Sequence, residues 1–393
     1  MKTKAEPIVF GLILVYLTCY FARLFRFPDL LMLVLGAVFC LILLLKQKKI
    51  RIDAGLCLLA ITMFSYCIFK FGIRAIVIMM PYIPVVIYVL ANYLAAEIKH
   101  RENAETKLLY IIYSLVFGYA VYGILNSCMY FAGTGPEGVR YWVDFWTRDM
   151  TPGTQLTIYY LPVFAIAFPA IIYFYRRKWI NAVIAVLIVF FIYASLATRT
   201  RTTLLVLGLV FCGQVLLYAI LEKEKVMKGI TPKKAGIFFG CVLAAIAVLV
   251  FVLKDNEIVQ AFIANLGKDG GILNNVRFQA QSEVLKHLFD YPMGGNSTEM
   301  VIQMAHNVWL DMANSTGLIP FFAFTAYTFW TLYELIRFLF KKGIGAEIKL
   351  VIAGIYVAFF LYYTVEPALD ASIHFMTPWM LVNGLVHGYL SKR

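Results

Sequence analysis

The stretch WINAVIAVLIVFFIYASLATRTRTTLLVLGLVFCGQVLLYAIL (179–221) decides the fold class of this chain. It contains two apolar runs, each close to the roughly 20 residues that cross a bilayer as a helix, and only Thr and Arg residues separate them. The same alternation extends over the 393 residues, of which 62% are hydrophobic and 15% are charged. Soluble globular proteins are about 45–50% apolar and about 25% charged, so the composition excludes a soluble fold.

Twelve apolar runs predict an all-α polytopic membrane protein in which residues 1–393 form a single integral membrane domain. Two longer polar segments, 132–156 and 254–305, interrupt the runs. Within the second segment, residues 274–289 have helical periodicity, which predicts a short helix along the membrane surface. The twelve predicted spans are residues 7–25, 28–45, 54–71, 75–95, 108–131, 157–175, 179–197, 203–221, 235–253, 315–338, 350–364 and 372–390.

The formal charge of +13 is first a topology signal. With the N-terminus in the cytoplasm, 23 of the 35 Lys and Arg residues fall on the inner side, as the positive-inside rule requires. An even number of spans then leaves both termini in the cytoplasm. Because the excess charge is explained by orientation, the composition does not call for nucleic acid as a partner.

The basic residues of the outer side are mostly arginine, 8 of 12, whereas arginine makes up only 6 of 23 on the inner side. The positive-inside rule depends on positive charge and does not distinguish arginine from lysine. The larger share of arginine on the outer side therefore needs another cause. Arginine binds phosphate with a planar, permanently charged fork, which favours a phosphorylated or pyrophosphorylated ligand on the outer side. The alternative is a compositional preference for lysine inside.

Two outer segments carry the strongest candidate residues. In SLATRTRTTLL (195–205), Arg199 and Arg201 stand between two spans, where arginine is costly unless it is paired, functional or snorkelling to the interface. In MAHNVWLDMANSTGLIPFF (304–322), His306 precedes an apolar helix and is followed by Asn307 and Asp311. An isolated histidine at this place is either an interface or capping residue or a general base.

The segment EPALDASIH (366–374) is the third candidate. If a helix begins at Pro367, Glu366, Asp370 and His374 share one face. These residues could bind a metal, but no fourth ligand is evident, so we expect them to line a polar acceptor groove, with no metal and no cofactor.

The order of the outer motifs resembles the bacterial O-antigen ligase and Wzy-type O-antigen polymerase superfamily. The likeness rests on about a dozen spans, a long outer loop, a Ser/Thr-Arg element before a span, and a His-Asn pattern that Gly317 closes after a nine-residue interval, with Pro320 a departure at its end. The earlier outer segment resembles a further element of the superfamily, although Gln155 stands where Asn is commoner. The stretches that carry the resemblance are TRDMTPGTQLT (147–157), ATRTRTTLL (197–205), VRFQAQ (276–281), YPMGGN (291–296) and HNVWLDMANSTGL (306–318).

The resemblance implies a GT-C-like membrane glycosyltransferase of the bacterial cytoplasmic (inner) membrane with an extracytoplasmic active site. It implies that a glycan is moved, without a metal, from undecaprenyl diphosphate to a hydroxyl acceptor with inversion. His306 is then the base, and Asn307 or Asp311 orients it. The residues implied to hold the diphosphate are Arg148, Arg199, Arg201 and Arg277.

Three functions remain open from the sequence. The first is polymerisation of lipid-linked repeat units of a surface polysaccharide, with a chain-length regulator protein as a candidate partner. The second is ligase-type transfer of the lipid-linked glycan to another acceptor. The third is a transporter or flippase for the same lipids, which the near absence of charge in the middle of the spans disfavours.

Overall fold

A computed structural model describes residues 5–24, 29–72, 74, 82–133, 141–173, 178–223, 260, 276–294 and 304–391. In these ranges the chain is mostly helical. In chain order, the elements are α1 (Ala5–Phe21), α2 (Asp29–Gln47), α3 (Ala54–Phe71), α4 (Tyr82–Ile98), α5 (Ala104–Phe131), β1 (Tyr141–Val143), β2 (Met150–Pro152), α6 (Gly153–Thr157), α7 (Leu161–Tyr173), α8 (Lys178–Ala197), α9 (Arg201–Leu221), α10 (Val276–Lys286), α11 (Val308–Thr316), α12 (Leu318–Phe340), α13 (Ala346–Tyr363), α14 (Ala368–Ala371) and α15 (Thr377–Leu390).

Seven of the described helical segments are long and apolar enough to cross a membrane. Two shorter apolar helices accompany them, Pro7–Phe21 and Tyr82–Ile98. The chain is therefore a helical protein built for a membrane, while the count of twelve spans stays a prediction. The predicted ninth span, 235–253, lies outside the described residues. The seven segments are Leu30–Gln47, Ala54–Phe71, Ala104–Phe131, Gln155–Tyr173, Trp179–Ala197, Arg201–Leu221 and Ala346–Tyr363.

Burial divides the helices into an inner and an outer group. The spans in α5, α7 and α13 are mostly buried, whereas those in α2, α8 and α9 are only 17% buried and expose Leu and Val side chains. An apolar exposed surface is what a bilayer solvates. The helices α4 and α15 pack closely because Gly384 and Gly388 face the backbone of α4. A Cβ atom at Gly388 would lie 2.2 Å from the carbonyl oxygen of Asn92.

The polar segment 132–156 departs from the all-helical prediction, because it contains a two-stranded antiparallel sheet. Tyr141 of β1 pairs with Pro152 of β2. The buried carboxylate of Asp144 shapes the turn between the strands by accepting hydrogen bonds from the backbone N–H groups of Trp146 and Thr147, both at 2.8 Å. Local side-chain hydrogen bonds of this kind stabilise turns in preference to helix.

The helix predicted over 274–289 is present as α10, Val276–Lys286. Its buried face is narrower than the periodicity predicted, because only Ala280 and Val284 are buried, against Ala305, Leu310 and Ala313. The neighbouring Leu285 is 56% exposed. The small buried stripe packs α10 onto α11, which brings the long loop to the candidate site.

Candidate functional site

The side chain of Glu366 lies at the centre of a polar cluster assembled from four distant parts of the sequence. It is 2% exposed. Arg277 Nη1 donates a hydrogen bond to Glu366 Oε1 at 2.9 Å, and the Thr202 hydroxyl donates to the same oxygen at 3.1 Å. The other carboxylate oxygen, Oε2, lies 3.7 Å from His306 Nδ1. We call Thr202, Arg277, His306 and Glu366 the Glu366 cluster.

The surroundings of Glu366 hold it in its ionised form. Burial raises the pKa of the carboxyl, but the neighbouring His306 imidazole, 3.7 Å away, and the charge of Arg277 oppose that effect. The net result is a lowered pKa, so the carboxylate persists at neutral pH. A buried carboxylate facing an imidazole nitrogen stabilises the charged imidazolium that forms when the other ring nitrogen takes up a proton.

Asp311 fixes the backbone on both sides of His306. Its Oδ1 accepts a hydrogen bond from the Ala305 N–H at 2.7 Å, and its Oδ2 accepts one from the Asn307 N–H at 3.1 Å. His306 itself has a φ of 54°, in the left-handed region that non-glycine residues rarely occupy. The hydrogen bonds that Asp311 accepts stabilise this conformation. Asp311 therefore positions the histidine through the backbone, a detail that the resemblance did not specify.

Asn307 acts as the N-cap of α11, because its Oδ1 accepts a hydrogen bond from the Leu310 N–H at 3.1 Å. Its side-chain Nδ2 donates to the carbonyl oxygen of Thr364 at 3.2 Å. Thr364 directly follows α13 and precedes Glu366 by two residues. The Asn307 side chain thus caps the start of α11 and also bonds the segment that carries Glu366.

Gly317 separates α11 from α12, so the predicted span 315–338 begins later than expected, at Leu318. Gly317 has a φ of 89° and a ψ of −169°, a combination open essentially to glycine alone. A Cβ atom there would lie 2.3 Å from the Pro292 carbonyl oxygen, which accepts a hydrogen bond from the Leu318 N–H at 2.9 Å. The turn at Pro292, after α10, therefore packs directly on Gly317, the glycine of the His-Asn pattern.

The Ser/Thr-Arg element forms the turn between α8 and α9. The hydroxyl of Thr200 donates to the Ser195 carbonyl oxygen at 3.1 Å, and Arg199 has a φ of 54°. Arg201 is the first residue of α9, and the next residue, Thr202, reaches Glu366. Arg199 and Arg201 are both partly buried. The structure thus brings this element next to Glu366, which also faces the predicted base His306.

Arg277 and Arg148, both predicted to hold a diphosphate, have different surroundings. Arg277 Nη1 donates to the Glu366 carboxylate and to the Val365 carbonyl oxygen, both at 2.9 Å. Arg148 is exposed in the β1–β2 turn, with Nη1 3.8 Å from the Met129 sulfur and its guanidinium carbon 5.8 Å from the centre of the Phe145 ring. Arg277 therefore belongs to the Glu366 cluster, and no described contact joins Arg148 to it.

The expectation that Glu366, Asp370 and His374 share a helical face is wrong. The helix α14 contains only four residues, Ala368–Ala371, and Ser372 is extended with a φ of −169°. Glu366 faces Arg277 and His306, whereas His374 Nδ1 lies 3.0 Å from the Tyr20 hydroxyl. Among the residues that the structure describes, no group of three or more His, Cys, Asp or Glu side chains is arranged to hold a metal ion.

Sequence reasoning missed Thr202 and the link from Tyr20 to His374. Thr202 belongs to the quoted Ser/Thr-Arg element, but a hydroxyl in the first turn of a helix has no pattern that identifies its partner 164 residues away.

Comparisons with protein-family models and with curated proteins find no match for this chain.

Proposed function

We propose that this protein is a metal-independent inverting glycosyltransferase that polymerises undecaprenyl-diphosphate-linked repeat units of a surface polysaccharide. The proposal includes a GT-C-like arrangement of about twelve spans in the bacterial cytoplasmic membrane, both termini in the cytoplasm, and an extracytoplasmic active site. A chain-length regulator protein is proposed as a partner.

The observation that carries this proposal is the Glu366 cluster. Its side chains come from the Ser/Thr-Arg element, the loop helix, the His-Asn pattern and the segment after α13. The first three are motifs on which the resemblance to the polymerase and ligase superfamily depends. The ionised carboxylate beside the imidazole supplies a base. Two arginines, one and three residues before Thr202, supply cations.

In the proposed reaction, the acceptor hydroxyl oxygen attacks the anomeric carbon of the donor glycan. The hydroxyl proton passes to His306 Nε2, the ring nitrogen that does not face Glu366, since Nδ1 lies 3.7 Å from Glu366 Oε2. The bond between the anomeric carbon and the diphosphate oxygen breaks, and undecaprenyl diphosphate leaves with the electron pair. Arg199 and Arg201 stabilise the negative charge of the leaving group, and Arg277 holds Glu366 in place. Direct displacement inverts the anomeric centre.

The test is a reaction of purified protein in detergent with an undecaprenyl-diphosphate glycan. Longer glycans should form, and His306→Ala and Arg201→Ala should each abolish them in folded protein. His287→Ala and Arg74→Ala are matched controls, because His287 and Arg74 are exposed outside the Glu366 cluster. Full activity of His306→Ala would remove His306 as the base.

The products distinguish polymerase from ligase. In cells that lack the gene, single repeat units still attached to their final acceptor indicate a polymerase, whereas free long polymer indicates a ligase. Movement of the intact lipid across the membrane, with no new glycosidic bond, would instead support the transporter alternative.

A further inference from the structure

A second polar group surrounds Arg23, directly after α1. The Arg23 guanidinium carbon lies 5.7 Å from the centre of the Tyr122 ring, and Tyr159 is a near neighbour of the guanidinium. The rings of Tyr122 and Tyr159 lie 4.4 Å apart. Both tyrosines are almost fully buried, whereas Arg23 is partly exposed. The backbone of Arg23 has a φ of 47°, which directs the chain out of α1.

The Arg23 group lies next to the Glu366 cluster. The ring of Tyr159 lies 5.8 Å from the ring of Phe375, whose carbonyl oxygen accepts a hydrogen bond from the Tyr363 hydroxyl at 2.6 Å. The carbonyl oxygen of Tyr362 accepts a hydrogen bond from the Glu366 N–H at 3.0 Å. Contacts among buried aromatic residues therefore connect the two groups.

Within the described residues, the charge of Arg23 is not matched by a close carboxylate. Among the described residues, none places a carboxylate oxygen within 4 Å of its guanidinium. The nearby Asp144 is occupied by the Tyr122 hydroxyl and by the N–H groups of the turn before Arg148. A guanidinium offers five N–H donors. The neighbouring tyrosines satisfy only part of them, and the exposed part of Arg23 can bind an anion.

We propose that Arg23, held by Tyr122 and Tyr159, binds the diphosphate of a second lipid-linked substrate, the acceptor. This inference rests on the proposed function and extends it. A polymerase joins two lipid-linked glycans, so it needs a place for two diphosphates. In the described part of the chain, one cationic group contains Arg277 at Glu366, with Arg199 and Arg201 in the Ser/Thr-Arg element that contacts Glu366 through Thr202. The other surrounds Arg23. Arg148 lies in the turn shaped by Asp144, where its backbone N–H donates to the Asp144 carbonyl oxygen at 2.9 Å.

The experiment counts binding sites for geranyl diphosphate on the purified full chain in detergent, by isothermal titration. We expect two sites per chain in the unmodified protein and one in Arg23→Gln. Arg201→Gln should also leave one site, and Arg74→Gln, the matched control at an exposed position, should leave both. In Tyr159→Phe, which keeps the ring and removes only the hydroxyl, the Kd of one site should rise about tenfold, a loss equal to one charge-assisted hydrogen bond.

The outcomes separate the two proposals. Two unchanged sites in folded Arg23→Gln, or in Tyr159→Phe if Arg23→Gln does not fold, would overturn the inference about Arg23. One site in the unmodified protein, lost in Arg201→Gln, would also overturn it and leave the proposed function standing. No binding at all would contradict the proposed function itself. A parallel titration with inorganic pyrophosphate tests the source of the anion: equal affinity for the free anion at the Arg23 site would overturn its assignment to a lipid-linked substrate.

Discussion

Glu366 sets both the charge and the geometry of the candidate site. It accepts hydrogen bonds from Arg277 and Thr202 and faces His306, so its loss affects three side chains at once. Glu366→Gln keeps the size of the side chain and removes the charge. Without that charge, the imidazolium of His306 is no longer stabilised in the transition state, and we expect glycan transfer to fall roughly 100-fold or more. Glu283→Gln, on the exposed side of α10, is the control and should retain activity.

The same substitution has an expected signature in stability against pH. Because the folded pKa of Glu366 is lowered from its ordinary value of 4.5, the carboxylate stabilises the fold fully above that value. This contribution is lost as the pH falls through the lowered folded pKa. Thermal unfolding measured across the acid range should therefore show a smaller pH dependence in Glu366→Gln than in the unmodified protein. An identical pH dependence would mean that Glu366 is not preferentially ionised in the folded state.

At the scale of elements, the junction of α11 and α12 depends on the backbone of Gly317. Alanine there meets both an unfavourable conformation, of about 1–3 kcal/mol, and the Pro292 carbonyl oxygen. We expect Gly317→Ala to lower the free energy of unfolding by more than the conformational term alone and to displace the turn that precedes the site. Thermal unfolding in detergent measures the first effect, and glycan transfer measures the second.

Substitutions at two other glycines separate the cost of the backbone conformation from the cost of the close contact. Gly343 has a φ of 81° but open space around it, so Gly343→Ala should show only the conformational cost, about 1–2 kcal/mol. Gly11 lies inside α1 with open space and an ordinary φ, so alanine there should stabilise the helix by about 0.5–1 kcal/mol. If Gly317→Ala is no worse than Gly343→Ala, the close contact with the Pro292 turn is not important for folding.

A second buried ionic cluster joins four helices at the opposite end of α12 and α15. His387 Nδ1 lies 2.7 Å from Glu334 Oε1, and its Nε2 lies 3.4 Å from Asp53 Oδ2. Asp53 also caps α3 and accepts hydrogen bonds from Tyr88 and Asn92 of α4. Two buried carboxylates with one imidazole between them are costly once the imidazole is removed.

We therefore expect His387→Ala to reduce the free energy of unfolding by about 3–5 kcal/mol, the usual effect of breaking a buried ion pair. The matched control is His287→Ala, because His287 is 45% exposed and also sits beside two carboxylates, where the effect should stay within about 1 kcal/mol. Protein that remains folded should still transfer glycan, since the Glu366 cluster lies at the other end of the helices. Equal stability of the two variants would mean that the cluster of His387, Glu334 and Asp53 does not contribute strongly to the packing of the four helices.

At the scale of the whole molecule, the helices follow from patterns that are local in the sequence. Apolar runs near the length of a bilayer crossing predicted helices that the structure contains in every described range, with ends shifted by a few residues. Asp53 and Asn307 are helix caps because their side chains bond the backbone a few residues ahead. The β1–β2 sheet was missed because it depends on pairing across a turn that Asp144 shapes.

The candidate site also combines residues that the sequence predicts with contacts that only the packing of the helices determines. Arg199, Arg201 and His306 could be selected from residue type and order alone, since each is a polar residue at the edge of an apolar run, whereas Arg277 was implied only by the resemblance. Their grouping could not, because Thr202, Arg277, His306 and Glu366 meet only through the packing of α9, α10, α11 and α13. The proposed face of Glu366, Asp370 and His374 failed because the chain turns at Ser372 instead of continuing as a helix.

The sequence by itself determined that this is a helical chain made for a membrane, because hydrophobic composition and run length act on each segment independently. It also determined which residues are costly enough at a membrane interface to be candidates for function. Only the tertiary structure decided that Glu366 stands between Arg277 and His306, that Asp311 holds His306 through the backbone, and that Arg23 forms a separate group. Those relations depend on contacts between segments far apart in the chain, and burial makes the charges in them matter, so no local pattern can carry that information.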